Sequence, residues 1–204
     1  MHSKAYSQSC EENKDPILGI LEIEFSKAKS VLEIGSGTGQ HAVYFAGALR
    51  HLQWQCSDIA PQMPGIKAWL AEAKLANTPP PLCLDVRDSW RESFGDGCFD
   101  AVFSANTTHI MSWPSVLCLF ERLGEVLCEK ACIALYGPFN YKCLYTSDSN
   151  ARFDQWLKSR DPLSGIRDFE SLQALAEARA FNLHKDYAMP ANNRLLVWRR
   201  GCND

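Results

Sequence analysis

Short apolar runs alternate along this chain with stretches in which apolar residues recur at helical spacing. Val31-Leu32-Glu33-Ile34 is a compact run ending in glycine, as a buried parallel strand does. After it, Ala42, Phe45, Ala46 and Leu49 fall at i, i+3, i+4 and i+7, one face of a helix. Upstream, Pro16 predicts the first turn of a helix carrying Ile17, Leu18, Leu21 and Phe25 on one side. Downstream, strands are predicted over 53–57, 82–85, 101–105 and 131–136. Between and after them, helices are marked by Ile66, Trp69 and Leu70, and by Val116, Phe120 and Leu123. Phe153, Trp156 and Leu157 predict a short helix, and Phe169, Leu172 and Ala176 another. The chain closes with two strands, 183–187 and 195–199, joined by a loop over 188–193.

Strands alternating with helices imply a parallel sheet covered on both faces. The last two strands are too close in sequence for a crossover, so they pair antiparallel. The fold class is therefore α/β, a doubly wound sheet ending in a hairpin. No linker, repeat or low-complexity tract divides the 204 residues, which read as one domain over 1–204.

Composition narrows the function. With Lys plus Arg 21 against Asp plus Glu 24, the net charge is −3, so no nucleic-acid partner held through phosphates is expected. The first residues lack the apolar core of an export signal, and no apolar run approaches a membrane span. The nine cysteines are scattered and odd in number, which predicts reduced thiols and a cytoplasmic protein. The one close pair, Cys128 and Cys132, has no second pair at ligand spacing, so no metal is expected.

Candidate chemistry begins at Glu33-Ile34-Gly35-Ser36-Gly37-Thr38-Gly39, where the first strand turns into a helix. Glycines there let the backbone approach a ligand, and the crevice beyond the strand ends is where open α/β sheets bind. A dinucleotide fingerprint needs its third glycine one place later, where Gln40 stands, so a nicotinamide cofactor is disfavoured. Asp58 ends the second strand and can accept from both ribose hydroxyls. Asp85 ends the third and can accept from an adenine amino group, with the Val86 N–H beside it. Turn glycines and helix-capping aspartates are the plain alternative.

This combination resembles the class I S-adenosylmethionine-dependent methyltransferases, which carry acids like Glu33, Asp58 and Asp85 at these strand ends. Nearly end to end, the chain resembles the family named methyltransferase-like protein 26. The resemblance rests on 12–17, 31–42, 136–139, 146–150, 160–162, 165–168 and 189–193. It implies a seven-stranded, mostly parallel Rossmann-like sheet of order 3-2-1-4-5-7-6 with strand 7 antiparallel. It also implies a lid and helix over 1–28 and an active-site loop with a short helix over 138–168. S-adenosylmethionine is the implied cofactor, with Glu33, Gly35, Ser36, Gly37, Gly39, His41, Asp58, Ile59, Asp85, Val86 and Asn106 around it. Two departures stand out: no glycine turn precedes strand five at 128–131, and none precedes Thr146.

Methyl transfer from a sulfonium is an in-line displacement that needs alignment, a dry site and often a base. The fourth strand ends in Ser104-Ala105-Asn106-Thr107-Thr108-His109, not in the Asn/Asp-Pro-Pro-Tyr/Phe tetrapeptide of nucleobase amino-methylating enzymes. His109 is the expected catalytic base and Asn106 its catalytic neighbour; helix capping by His109 is equally compatible. Tyr136, Phe139, Asn150 and Asn192 are expected to wall a substrate pocket, against a plain alternative of core packing and turn geometry. The expected partner is a small-molecule acceptor, with no membrane. Two other functions fit the same residues: a non-catalytic S-adenosylmethionine-binding protein and a protein methyltransferase.

Overall fold

The computed structural model describes residues 4–90, 94 and 99–201. Its strands are β1 (Ser30–Ile34), β2 (Gln53–Asp58), β3 (Leu82–Cys83), β4 (Phe99–Ala105), β5 (Leu127–Gly137), β6 (Phe139–Asn140), β7 (Arg167–Asp168), β8 (Asn182–Met189) and β9 (Asn193–Arg200). Seven of them form one sheet in the order β3-β2-β1-β4-β5-β9-β8. The pairings from β3 to β5 are parallel, and only β9 runs against its neighbours. Counted within that sheet, this is the order 3-2-1-4-5-7-6 with the last strand reversed. β6 and β7 form a separate parallel pair; strands of two residues carry no alternation that a sequence can reveal.

Side chains alternate across the sheet, and each parity has its own helices. Val31, Phe103, Ala134 and Val197 pack beneath α1 (Gln8–Glu24), α2 (Gln40–Ala48) and α3 (Met63–Ala73). Leu32, Val102, Ile133, Leu135 and Trp198 meet α4 (Trp113–Val126) and the helix Phe169–Glu177 on the other face. The helix Asp148–Arg160, here α5, precedes that last one, α6, and stands over the strand ends.

Helix α1 begins eight residues before the predicted start. Ser7 caps it by accepting from the Cys10 N–H at 3.3 Å, and Pro16 lies inside it. An interior proline costs about 3 kcal/mol. The buried Ile17, Leu21 and Phe25, packed against α2, offset that cost. The helix predicted around Phe153 is likewise longer, 13 residues, with Ser147 as its cap.

Both departures from the expected glycine pattern have an explanation. No turn precedes β5, because α4 ends at Val126 and the strand starts at Leu127, four residues before the predicted start. The Arg200 guanidinium holds the carbonyls of Leu127 and Cys128 at 2.5 and 2.7 Å. Before Thr146, Tyr141 and Leu144 exchange backbone bonds of 3.1 and 2.9 Å around Lys142 and Cys143, both left-handed at φ +52° and +61°. That is a two-residue turn of the kind that favours Asn-Gly. The Cys143 N–H donates to Asp168 at 2.6 Å and the Lys142 N–H to Glu170 at 3.0 Å, which holds it without glycine.

Cys128 is disulfide-bonded, so the expectation of nine reduced thiols fails there; Cys10, Cys56, Cys83, Cys118 and Cys143 are thiols. Cys98, Cys202 and the first three residues of the expected lid lie outside the described residues. Among the described residues, no helix is long and apolar enough to cross a membrane, and no three metal-ligating side chains cluster.

Candidate functional site

A cleft of about 1250 Å³ opens above the carboxyl ends of β1 to β5, between the start of α1 and α5. Its near half is made from backbone. Gly35 and Gly37 are left-handed at φ +70° and +56°. A Cβ on Gly35 would stand 2.6 Å from the Thr107 hydroxyl, whereas one on Gly37 would meet nothing within 4 Å and project into the open cleft. Asp58 grips this loop, accepting from the Gly37 N–H and the Ile59 N–H at 2.7 Å each, and partial burial raises its carboxyl. Asp85 lies at the next strand end in a fork from Arg87, at 3.0 Å to Nε and 2.5 Å to the terminal nitrogen, which holds its carboxyl low. Ser36, Ile59 and Val86 also line this half.

Two predicted cofactor residues stand outside the lining. Glu33 sits behind the loop, accepting from Trp54 Nε1 at 3.0 Å and Ser36 Oγ at 2.9 Å. Burial pushes its carboxyl up to about 7. Its parity on β1 turns it toward α2, so it braces the loop instead of facing the cleft. Gly39 faces α3, where a Cβ would come 3.1 Å from the Ile66 Cα; the glycine permits close helix packing. His41 does line the cleft, but as a neutral ring: it is hydrogen-bonded to Asn13 Oδ1 at 2.6 Å, stacked on Phe45, and pushed down by burial to about 4.

The start of α1 supplies lining that the sequence reading placed only loosely in a lid: Ser7, Cys10, Glu12 and Asn13. Gln40 holds it there, accepting from the Ser7 N–H at 2.5 Å and donating to the Ser7 carbonyl at 3.3 Å. The glutamine that breaks the dinucleotide fingerprint is thus the clasp between α2 and α1. That mismatch was the available signal.

The far half is made from side chains. Asn106, left-handed at φ +55°, and Tyr136 line it from the ends of β4 and β5, with their backbones bonded at 2.8 Å. Phe153 and Trp156 of α5 stack at 5.7 Å, and the His109 ring meets Phe153 edge-on at 5.3 Å. The Asn150 amide donates to the Asn192 carbonyl at 3.1 Å, and the Asn192 amide donates to Ser149 Oγ at 3.1 Å, so the two asparagines join α5 to the terminal hairpin. Arg167 braces the segment beneath, donating to the carbonyls of Thr108 at 3.0 Å and Met111. Asp154, on the buried face of α5, takes bonds from Tyr145, Lys158 and the Ile166 N–H.

Two expectations change here. Phe139 does not wall the cleft: it has the same parity as Ile133 and Leu135 and is fully buried in the core under α4 and α6. His109 lines the cleft and is 3% exposed, but not as a base poised near neutrality. Its Nδ1 is buried without a hydrogen-bond partner, and burial together with the Arg167 charge pushes the imidazole down to about 4.

Solved structures share this fold. An O-methyltransferase family protein from Burkholderia thailandensis superposes with a TM-score of 0.80 at 11% identity, over 94% of this chain and 57% of that one. A putative O-methyltransferase from Nostoc punctiforme PCC 73102 gives 0.77 at 13%, over 92% and 56%. An O-methyltransferase from neocarzinostatin biosynthesis, solved with S-adenosylmethionine and 2-hydroxy-5-methyl naphthoic acid, gives 0.69 at 10%, over 92% and 56%. The chain therefore spans a little over half the length of these structures. At the level of sequence, residues 4–200 match the family described as protein of unknown function (DUF938), and with almost the whole chain inside that match the protein belongs to this family.

Proposed function

We propose that the protein is an S-adenosylmethionine-dependent methyltransferase of a small-molecule acceptor. The observation that carries this reading is the cradle at Gly37, where a Cβ would enter open space while the same residue's N–H is held by the strand-end carboxylate of Asp58. Asp58 would take the ribose hydroxyls, and Asp85 with the Val86 N–H the adenine edge. The Gly35–Gly37 backbone and Asn106 would take the methionine part. Exchanging the Arg87 fork on Asp85 for an amino group is easy, because that guanidinium is exposed. When bound, the cofactor supplies an electrophilic methyl on a sulfonium. The residues of the far half do the rest: Asn106, His109, Tyr136, Asn150 and Asn192 orient the acceptor, and Phe153 with Trp156 excludes water. That the fold neighbours are described as O-methyltransferases supports the reaction type, and the segments 12–17, 136–139 and 189–193 support a place near methyltransferase-like protein 26.

Calorimetry tests the reading directly. S-adenosylmethionine or its demethylated product should bind, and Asp58→Asn should weaken binding by roughly 10- to 100-fold, the loss of a charge-assisted hydrogen bond. Binding of NAD with no binding of either methyl-cycle ligand would overturn it. On an acceptor once identified, His109→Asn should lower turnover by about 10- to 100-fold through misplacement while cofactor affinity stays within a few fold.

A further inference from the structure

The two walls of the cleft differ in character. The α1 wall is polar, with Ser7, Ser9, Glu12 and Asn13, of which Glu12 is an exposed carboxylate. The facing wall, from α5 and the turn after β4, carries Ile110, Met111, Phe153 and Trp156. Large apolar side chains stand in water there: Ile110 is 59% exposed, Leu163 63% and Trp156 50%. Phe153 stacks on Trp156 and the Arg160 guanidinium lies 4.8 Å over its ring, so the free apolar surface is chiefly that of Ile110 and Leu163. Neither sits on a loose loop. The turn 107–111 closes with the Ile110 and Met111 N–H groups on the Thr107 carbonyl, at 3.0 and 3.1 Å. The segment 163–167 ties it down. The Gly165 N–H donates to the His109 carbonyl at 2.9 Å, Ser164 Oγ to the Ile110 carbonyl at 2.8 Å, and Arg167 to the carbonyls of Thr108, Met111 and Leu163. Fixed backbone thus holds two exposed aliphatic side chains on neighbouring segments, one of them in the cleft lining. A rigid apolar surface continuous with a cleft marks where an apolar part of a ligand goes.

The polar end of that ligand has a place too. Asn106 Oδ1 and His109 Nδ1 converge over Gly137, 3.8 and 3.5 Å from where a Cβ there would stand, and the Nδ1 has no partner. We propose, building on the methyltransferase reading above, that the acceptor is an amphiphile. Its polar, methyl-accepting end lies at Asn106 and His109, and its alkyl body leaves the cleft over Ile110 and Leu163. The lone pair of the polar end forms the bond to the methyl carbon as the C–S bond breaks with its electrons going to sulfur. A proton displaced from that end has the exposed Glu12 carboxylate in the same cleft to receive it.

The test reads binding before turnover. The full chain, saturated with the demethylated cofactor, is titrated with n-alkanols from hexanol to decanol. Affinity should rise about two- to fourfold per added methylene, as each leaves water for the apolar wall. In the double variant Ile110→Ser, Leu163→Ser that increment should fall below about 1.5-fold, with the unfolding transition unchanged because both side chains are more than half exposed. Ile23→Ser, at an isoleucine 64% exposed on α1 and outside the cleft lining, should keep the wild-type increment. Turnover gives a second readout. With isotopically labelled methyl donor and a cell extract split into organic- and water-soluble fractions, label should appear in organic-soluble products. Affinity independent of chain length, an increment unchanged in the double variant, or label confined to water-soluble products would overturn the amphiphile. So would a dimer that the double variant dissociates, which would give the apolar surface to a second copy. Failure of S-adenosylmethionine and its demethylated product to bind, or absence of label from both fractions, would instead overturn the methyltransferase reading beneath it.

Discussion

The near and far halves of the cleft are built by different means. The near half is backbone: left-handed glycines, N–H groups turned toward Asp58, and strand ends that fix where each acid stands. The far half is side chains drawn from β4, β5, α5 and the terminal hairpin, held by amide bonds across long sequence separations such as Asn150 to Asn192. A backbone site tolerates few residue types, because φ and close approach select glycine. A side-chain site tolerates many, because packing and hydrogen bonds can be met in several ways.

The largest effect should separate Phe139, expected in the wall but buried in the core, from Phe153, expected only in a helix but lining the cleft. Phe139→Ala removes a fully buried ring and should cost about 3–5 kcal/mol in urea unfolding. Phe153→Ala, on a half-buried ring of the cleft wall, should cost less than about 1.5 kcal/mol and act on the acceptor's KM instead. Equal losses of stability would erase the distinction between wall and core.

Next comes pH. Glu33 keeps a proton in the fold up to about 7 that the unfolded chain releases near its ordinary value, so this group makes stability fall as pH rises through that window. His41 and His109 stay neutral in the fold down to about 4, while the unfolded chain protonates them from about 6.5, so they make stability fall as pH drops from 6.5 to 4. Glu33→Gln removes only the first slope. Its stability relative to wild type should therefore climb between pH 4.5 and 7, by up to about 3 kcal/mol. A difference that stays flat with pH would show that Glu33 is ionised behind the loop.

The two glycines sharpen the comparison within the near half. Gly35→Ala places a Cβ against Thr107 at a left-handed φ and should lose about 2–4 kcal/mol of stability. Gly37→Ala faces open space, so only the conformational penalty of about 1–2 kcal/mol applies, yet cofactor affinity should fall far more than in Asp58→Asn. Smallest is Cys143→Gly: relieving one left-handed residue of the turn before Thr146 should stabilise by about 1 kcal/mol, with cofactor binding unchanged.

These contrasts explain what could be read before the structure. Helix alternation, the parallel sheet and its closing hairpin follow from periodicity and loop length, which act locally, whereas the order of the strands came from the family resemblance. The start of α1 was not visible, because Pro16 is the strongest local stop signal and only the burial of Ile17, Leu21 and Phe25 overrules it. Phe139 was readable in principle: counting by twos from Ile133 puts it on the α4 face. Glu33 and Gly39 were chosen by motif, and parity and helix packing send both away from the cleft. The state of His109 depends on its burial and then on the charge of Arg167, far along the chain, and both exist only once the protein is folded.

Pro16 has one further consequence, for time instead of structure. It withholds the N–H that the Glu12 carbonyl would otherwise receive, so the hydrogen-bonded ladder of α1 is interrupted between its two ends. Beyond the break, the helix is anchored by buried apolar residues and by Glu24, which takes the Tyr187 hydroxyl at 2.6 Å. Before the break, the hold is polar: Gln40 on Ser7 and His41 on Asn13. The leading turns can therefore detach at a lower free energy than the trailing ones. Those turns line the cleft, so a variant that loosens them, such as Gln40→Ala, should release a bound ligand faster while the rest of the fold stays as stable as before.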